Sequence, residues 1–152
     1  MNITNYDFES KLEQGFKSLF KTAGINLYIA DDVDGELPDE NVRLELSVGG
    51  AISGEHLNNG IYDNYGGSID INIQTPRVSN DQISLTAGFA SRHAELVAIA
   101  RKAMEEMDVT ALTANWPGAL SPTKITPTGT ERDNDAEHRS TSISYSLQFR
   151  IT

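Results

Sequence analysis

From Ser142 to Ile151 the chain alternates without interruption: Ile143, Tyr145, Leu147, Phe149 and Ile151 are apolar, and Ser142, Ser144, Ser146, Gln148 and Arg150 stand between them. Strand side chains point to opposite faces in turn, so this pattern predicts a half-buried β-strand that a one-residue slip would ruin. The same period recurs at Val42, Leu44, Leu46 and Val48, with Arg43, Glu45 and Ser47 opposite, and at Ile69, Ile71 and Ile73 against Asp70, Asn72 and Gln74. Residues 25–30 read as a further short strand. Gly49, Gly50, Gly54 and the Asn58-Asn59-Gly60 turn signal are expected to break the second strand. Gly66 and Gly67 are expected to interrupt a strand begun at Ile61 and Tyr62, and Pro76 to end the third.

Two other stretches repeat at helical spacing. Phe8, Leu12, Phe16, Leu19 and Phe20 fall on one stripe, while Glu9, Glu13, Lys17 and Lys21 occupy the rest of the circumference. This predicts an amphipathic helix over 6–22, capped by Asn5 or Thr4 and stopped by Gly24. Gly15, beside the stripe, costs about 1 kcal/mol in helix propensity and is either a response to a close neighbour or a tolerated flaw. In the second helix Phe89, His93, Leu96, Val97, Ala100, Ala103, Met104 and Met107 share a face, with Glu95, Lys102, Glu105 and Glu106 opposite and Ser91 as cap. Residues 108–141 hold Pro117, Pro122, Pro127, Gly118 and Gly129 and read mainly as loop, with a brief extended piece near Ile125. The order helix, three strands, helix, long loop, strand predicts an α+β fold: a mixed, mainly antiparallel sheet with both helices packed on its apolar face.

A chain of 152 residues fits a single domain, residues 1–152, able to bury roughly 70% of its unfolded surface without staples. No apolar run approaches the roughly 18–20 residues of a membrane span, so no membrane partner is expected. Residues 1–5 lack the basic region and apolar stretch of a secretory signal, which predicts no export by that route. With no cysteine, disulfides, thiol catalysis and thiolate metal sites are excluded. Twelve basic against twenty-two acidic residues give a formal charge of −10. That balance argues against a module that wraps DNA or RNA. It suits either solubility through repulsion or a surface that nucleic acid passes without sticking.

Reaction chemistry is sparse. Gly15-Phe16-Lys17-Ser18 lacks the upstream glycine and preceding strand of a phosphate loop. Asp32, Asp34 and Gly35 resemble a calcium loop only in part, since the first ligand would be Ala30 and the twelfth Asn41. His56, His93 and His138 lie in separate segments, and His93 on an apolar helix face reads as a core or interface histidine. Asp133, Asp135, Glu137 and His138 could hold a divalent ion for hydrolysis, or form a solvated, salt-bridged turn. No cofactor is expected. Tyr62, Tyr65 and Trp116, next to Pro117, lie in glycine or proline surroundings, and they suit either a subunit or partner interface or plugs beneath long loops.

Residues 60–77, with Tyr62, Tyr65, Gly66, Gly67 and the Ile69-Ile71-Ile73 alternation, resemble the central strands of tail-terminator or neck (head-tail joining) proteins of long-tailed bacteriophages. So do the helix from His93 through Arg101 to Met104 and the closing strand from Ser144 to Arg150. The resemblance implies a tail-terminator-like fold and a structural, non-enzymatic virion protein. A homo-oligomeric ring, six subunits expected, would end the tail tube and let DNA through its lumen without specific binding. It would be assembled in the host cytoplasm and placed at the head-tail junction. The implied partners are the tail tube protein and a head connector or completion protein, and a tail-completion or head-closure role is the alternative. The candidate lumen residues are Asp31, Asp32, Asp34, Glu36, Asp39 and Glu40. The candidate interface residues are Tyr62, Tyr65, Trp116 and Pro117. Rival classes are a metal-dependent hydrolase and an acidic decoy or immunity-like protein that mimics DNA.

Overall fold

The computed structural model describes residues 7–30, 35–56, 62–77, 88–106 and 120–151. Asp31, Asp32, Asp34, Met107, Trp116, Pro117 and the Asn58-Asn59-Gly60 turn lie outside them. The elements run α1 (Phe8–Thr22), β1 (Leu27–Ile29), β2 (Asn41–His56), β3 (Tyr62–Pro76), α2 (Arg92–Glu105), β4 (Leu120–Arg132) and β5 (His138–Ile151). The strands form one sheet in the order β1-β2-β3-β5-β4. β1 runs parallel to β2 and every other pairing is antiparallel. The α+β class expected from the sequence is the one observed.

The helix ends follow local chemistry. Asp7, not Asn5 or Thr4, caps α1, its side chain accepting from the Ser10 amide at 3.3 Å. At the other end Gly24 adopts φ 85°. The Gly24 amide donates to Lys21 O and the Ile25 amide to Phe20 O. These two bonds make a Schellman motif, which needs a left-handed residue and so favours glycine. Ser91 caps α2 as expected, accepting from the Ala94 amide at 3.1 Å.

Phe8, Leu12, Phe16 and Phe20 of α1, and Leu96, Ala100 and Met104 of α2, are buried against one face of the sheet. That face is the apolar parity of the strands: Val42 and Leu44 on β2, Ile69, Ile71 and Ile73 on β3, Ile143, Tyr145, Leu147 and Phe149 on β5. Register keeps like with like, pairing Leu44 with Ile71 and Ile71 with Ile143. The opposite parity gives a polar face of Arg43, Glu45, Asp70, Asn72, Ser142, Ser144 and Gln148, where Ser144 donates to the Asp70 carboxylate across the strands. Each fully buried aliphatic or aromatic side chain contributes roughly 2–3 kcal/mol to this layer.

Three expectations are corrected. Gly49 and Gly50 do not break β2. It continues to His56 by taking in one extra residue at each of three register shifts, between Val48/Ala51, Ala51/Ser53 and Ser53/His56. Gly66 and Gly67 lie within a continuous β3, because β2 comes so close that a Cβ on Gly67 would sit 2.5 Å from the Ser47 carbonyl oxygen. The span expected to be loop contains β4, and β5 begins at His138, four residues ahead of Ser142. Pro122 and Pro127 are tolerated because β4 is an edge strand and each proline precedes a bulge.

Gly67→Ala should therefore destabilise the fold by about 2 kcal/mol, since backbone rather than a flexible side chain must yield. Chemical denaturation checks this. An unchanged midpoint would mean that β2 and β3 can separate at no cost.

Candidate interaction surfaces on the two flanks of the second helix

Helix α2 is fastened at both ends by polar contacts. Near its N-terminus His93 places Nδ1 2.9 Å from Thr75 Oγ1 and Nε2 2.7 Å from Thr141 Oγ1. Both threonines are buried on adjacent strands. Near its C-terminus the Tyr145 hydroxyl donates to Glu105 Oε1 at 3.4 Å. Burial first, and then the Glu105 charge, push the tyrosine pKa up to about 12.

On one flank Arg92 donates through Nε to Glu40 at 2.7 Å and through Nη1 to Glu95 at 2.9 Å. The hydrogen bond to Glu40 is the main reason its pKa is raised. Glu95, expected on the outer face, is buried with 5% of its surface exposed. The guanidinium one turn earlier in the helix makes that burial tolerable. Phe89, expected on the apolar face, precedes the helix and is 38% exposed. Of the candidate lumen acids, Glu36 is exposed, Asp39 is exposed beside His138, and Glu40 is held by Arg92.

The other flank borders a groove of about 500 Å³ into which His93, Arg77, Arg101, Arg132 and Arg139 all face. Cross-strand partners share a face, so Arg139 stands beside Thr75 and Arg132 beside Thr141. Arg77 donates to the Asp135 carbonyl at 2.7 Å and Arg101 to the Thr130 hydroxyl at 3.3 Å. Among the described residues none of these four arginines is in an ion pair. The sequence carries no local sign of this cluster. Its members come from β3's end, α2, β4 and β5, and only the strand order brings them together. A second, more open depression of about 720 Å³ lies between the end of α1 and β1, lined by Lys17, Lys21 and Asn26 among others. No set of converging groups marks it as a site.

The candidate hydrolase residues form the β4–β5 turn. One oxygen of Asp135 accepts the amides of Glu137 and His138, at 2.7 and 2.6 Å, which holds its carboxyl below the usual range. His138 lies 3.8 Å from both Asp39 and Asp135. Among the described residues no three His, Asp or Glu side chains are grouped to hold a metal ion. Tyr65, a candidate interface residue, is half-buried. Its ring centroid is 4.9 Å from Phe8 and 5.7 Å from Phe149, stacked on the latter. Tyr62 lies in β3 opposite His56. Among the described residues no helix is long and apolar enough to cross a membrane.

Two outcomes follow from the fastening of α2. Arg92→Met should cost roughly 2–3 kcal/mol in urea unfolding, less than the ~3–5 kcal/mol of a fully buried pair because Arg92 is partly solvated, and Glu95→Gln should soften that loss. An Arg92→Met loss that Glu95→Gln leaves unchanged would show that the buried carboxylate is not its source. Burial first, then the charges of Arg139 and Arg132, lower the His93 pKa from 6.5. The unfolded chain thus gains this proton at higher pH than the folded one. Stability from neutral His93 is present above 6.5 and is lost as the pH falls below it. The melting temperature should decline across that window. His93→Gln should melt lower at neutral pH and decline less, whereas a parallel profile would locate the titration elsewhere.

No protein-family model and no curated protein matches the sequence. Among solved structures, one protein 17% identical to this chain covers 95% of it and 95% of its own length with a TM-score of 0.47, a likeness too remote to carry an assignment.

Proposed function

We propose that this chain is a structural virion protein of a long-tailed bacteriophage. In this reading it is the subunit of a ring, with six copies expected, that closes the tail tube at the head-tail junction and lets DNA pass. The chain acts by fitting against copies of itself and its neighbours in the neck and transforms no substrate.

One observation carries the reading. The three stretches that resemble tail-terminator and neck proteins are β3, α2 and β5. They are scattered in sequence, yet β3 and β5 are neighbours and α2 packs on both. The resemblance therefore covers one physical unit, the centre of the fold. Two further features fit. The surfaces on the two flanks of α2 differ, which suits head-to-tail contacts that close around an axis. The formal charge of −10 suits a conduit that phosphates traverse without adhering.

The test is the mass of the purified chain in solution, with negative-stain imaging alone and after mixing with isolated tail tubes. Closed rings of a whole multiple of 16.6 kDa, seated on tube ends, are expected. A chain that remains monomeric at high concentration and leaves tube ends bare overturns the reading.

A further inference from the structure

We propose that the arginine groove beside α2 receives the acidic segment, residues 31–40, of a second copy of this chain. The inference rests on the ring reading and names the contact that would close the ring.

The groove gathers Arg77, Arg101, Arg132 and Arg139 on a chain whose net charge is −10. Like charges lining one groove raise the energy of the folded chain to the extent that no anion answers them. Among the described residues their side chains make two hydrogen bonds, to one carbonyl and one hydroxyl, and the Asp135 carboxylate acts on Arg77 alone, while the side chains of Arg132 and Arg139 make no hydrogen bond or ion pair there. Guanidinium groups prefer planar, two-pronged acceptors, which carboxylates supply.

The same chain holds the matching element. Residues 31–40 contain Asp31, Asp32, Asp34, Glu36, Asp39 and Glu40 with no base among them. Glu36 is exposed and the Asp39 side chain is 82% exposed. At the segment's end Glu40 meets Arg92 on the other flank of α2 and Asp39 lies 3.8 Å from His138, whose parity in β5 is opposite to that of Arg139, whereas the groove lies beyond His93, Val97 and Arg101. Acid and base thus occupy different flanks of one helix, as a heterologous contact requires. Docking them would cover the densest run of like charge in the chain with its complement, and so relieve repulsion that otherwise opposes assembly of acidic subunits. A nucleic acid is a poorer occupant, since the whole chain repels a long polyphosphate. In this arrangement the acidic segment sits between subunits and not on the lumen wall.

A charge exchange tests the contact. One full-length variant carries Arg132→Glu and Arg139→Glu, the other Glu36→Lys and Asp39→Lys. Circular dichroism confirms that both fold, and sedimentation at low ionic strength measures self-association. Each variant alone should associate at least about tenfold more weakly than the unaltered chain, because the two exchanged groove positions and the two exchanged segment positions then carry the same sign. An equimolar mixture should recover assembly, with the two variants alternating. Rings that form equally well from either variant overturn the groove contact and leave the ring reading standing. Variants that are weakened alone but not restored on mixing also overturn it. So does a groove variant that loses a stabilisation by inorganic phosphate while its self-association is unchanged, which would mark a phosphate site. An unaltered chain that never assembles, alone or on tail tubes, removes the ring reading and this contact with it.

Discussion

The antiparallel ladder between β3 and β5 sets the frame on which everything else is arranged. It runs from Asn64 paired with Arg150 to Pro76 paired with His138 without a register shift, whereas the β2–β3 and β4–β5 ladders are both shifted. An unbroken ladder keeps side-chain parity constant along its length. Ile69, Ile71 and Ile73 therefore face the helices together with Tyr145, Ile143 and Thr141, and the polar residues face away together. A slip of one residue here would put Asp70 and Ser144 beneath α2. The same ladder positions Thr75 and Thr141 for His93 and sets Arg139 at the rim of the groove. Core, helix seat and charged groove all depend on one register.

Where a single element's own periodicity decided its structure, the sequence was sufficient. The strict alternation ending at Ile151, the four-residue spacing of Phe8, Leu12, Phe16 and Phe20, and the cap at Ser91 are local facts, and each appears in the fold. Glycine and proline break a strand or not according to its position in the sheet, which a local pattern does not hold. Gly67 is required by how close β2 comes, and Pro122 and Pro127 are permitted because nothing in the described residues pairs with the outer side of β4. Neither circumstance is visible in a one-dimensional pattern. Glu95 departs from its expected outer position for a related reason, since charge alone does not dictate exposure. Its burial depends on Arg92, three residues before it, and on how α2 sits on the sheet. The arginine groove was the least legible feature, because its members are separated by long stretches of chain and acquire meaning only once β3, β5 and β4 lie side by side.

Charge in this protein is sorted, not spread. Carboxylates dominate the total, yet four of the chain's arginines converge on a single groove and a fifth binds two glutamates on the opposite flank of the helix. The two flanks differ in how their guanidinium groups are used. Arg92 is spent inside the fold, compensating a buried carboxylate. The side chains of Arg132 and Arg139 make no ion pair or hydrogen bond among the described residues, and their charge works against protonation of His93.

The sheet edges bear on recognition from a different direction. An open edge invites pairing with another chain, and natural sheets blunt such edges with prolines, bulges and short strands. Here β4 carries two prolines, each removing a backbone donor, and two bulges that interrupt its spacing. At the other side β1 covers only Val42 to Leu44 of β2, and from Val48 onward β2 is bulged three times. Neither edge offers the long regular row of donors and acceptors that strand addition needs. Among the described residues, backbone pairing along either edge is therefore confined to short stretches, which leaves side chains as the means of recognition. The described surface offers few large apolar groups for that purpose, Phe89 being the one large hydrophobic residue left exposed. The more distinctive feature of that surface is charge, with Arg92 held between two glutamates on one flank of α2 and four arginines lining the groove on the other.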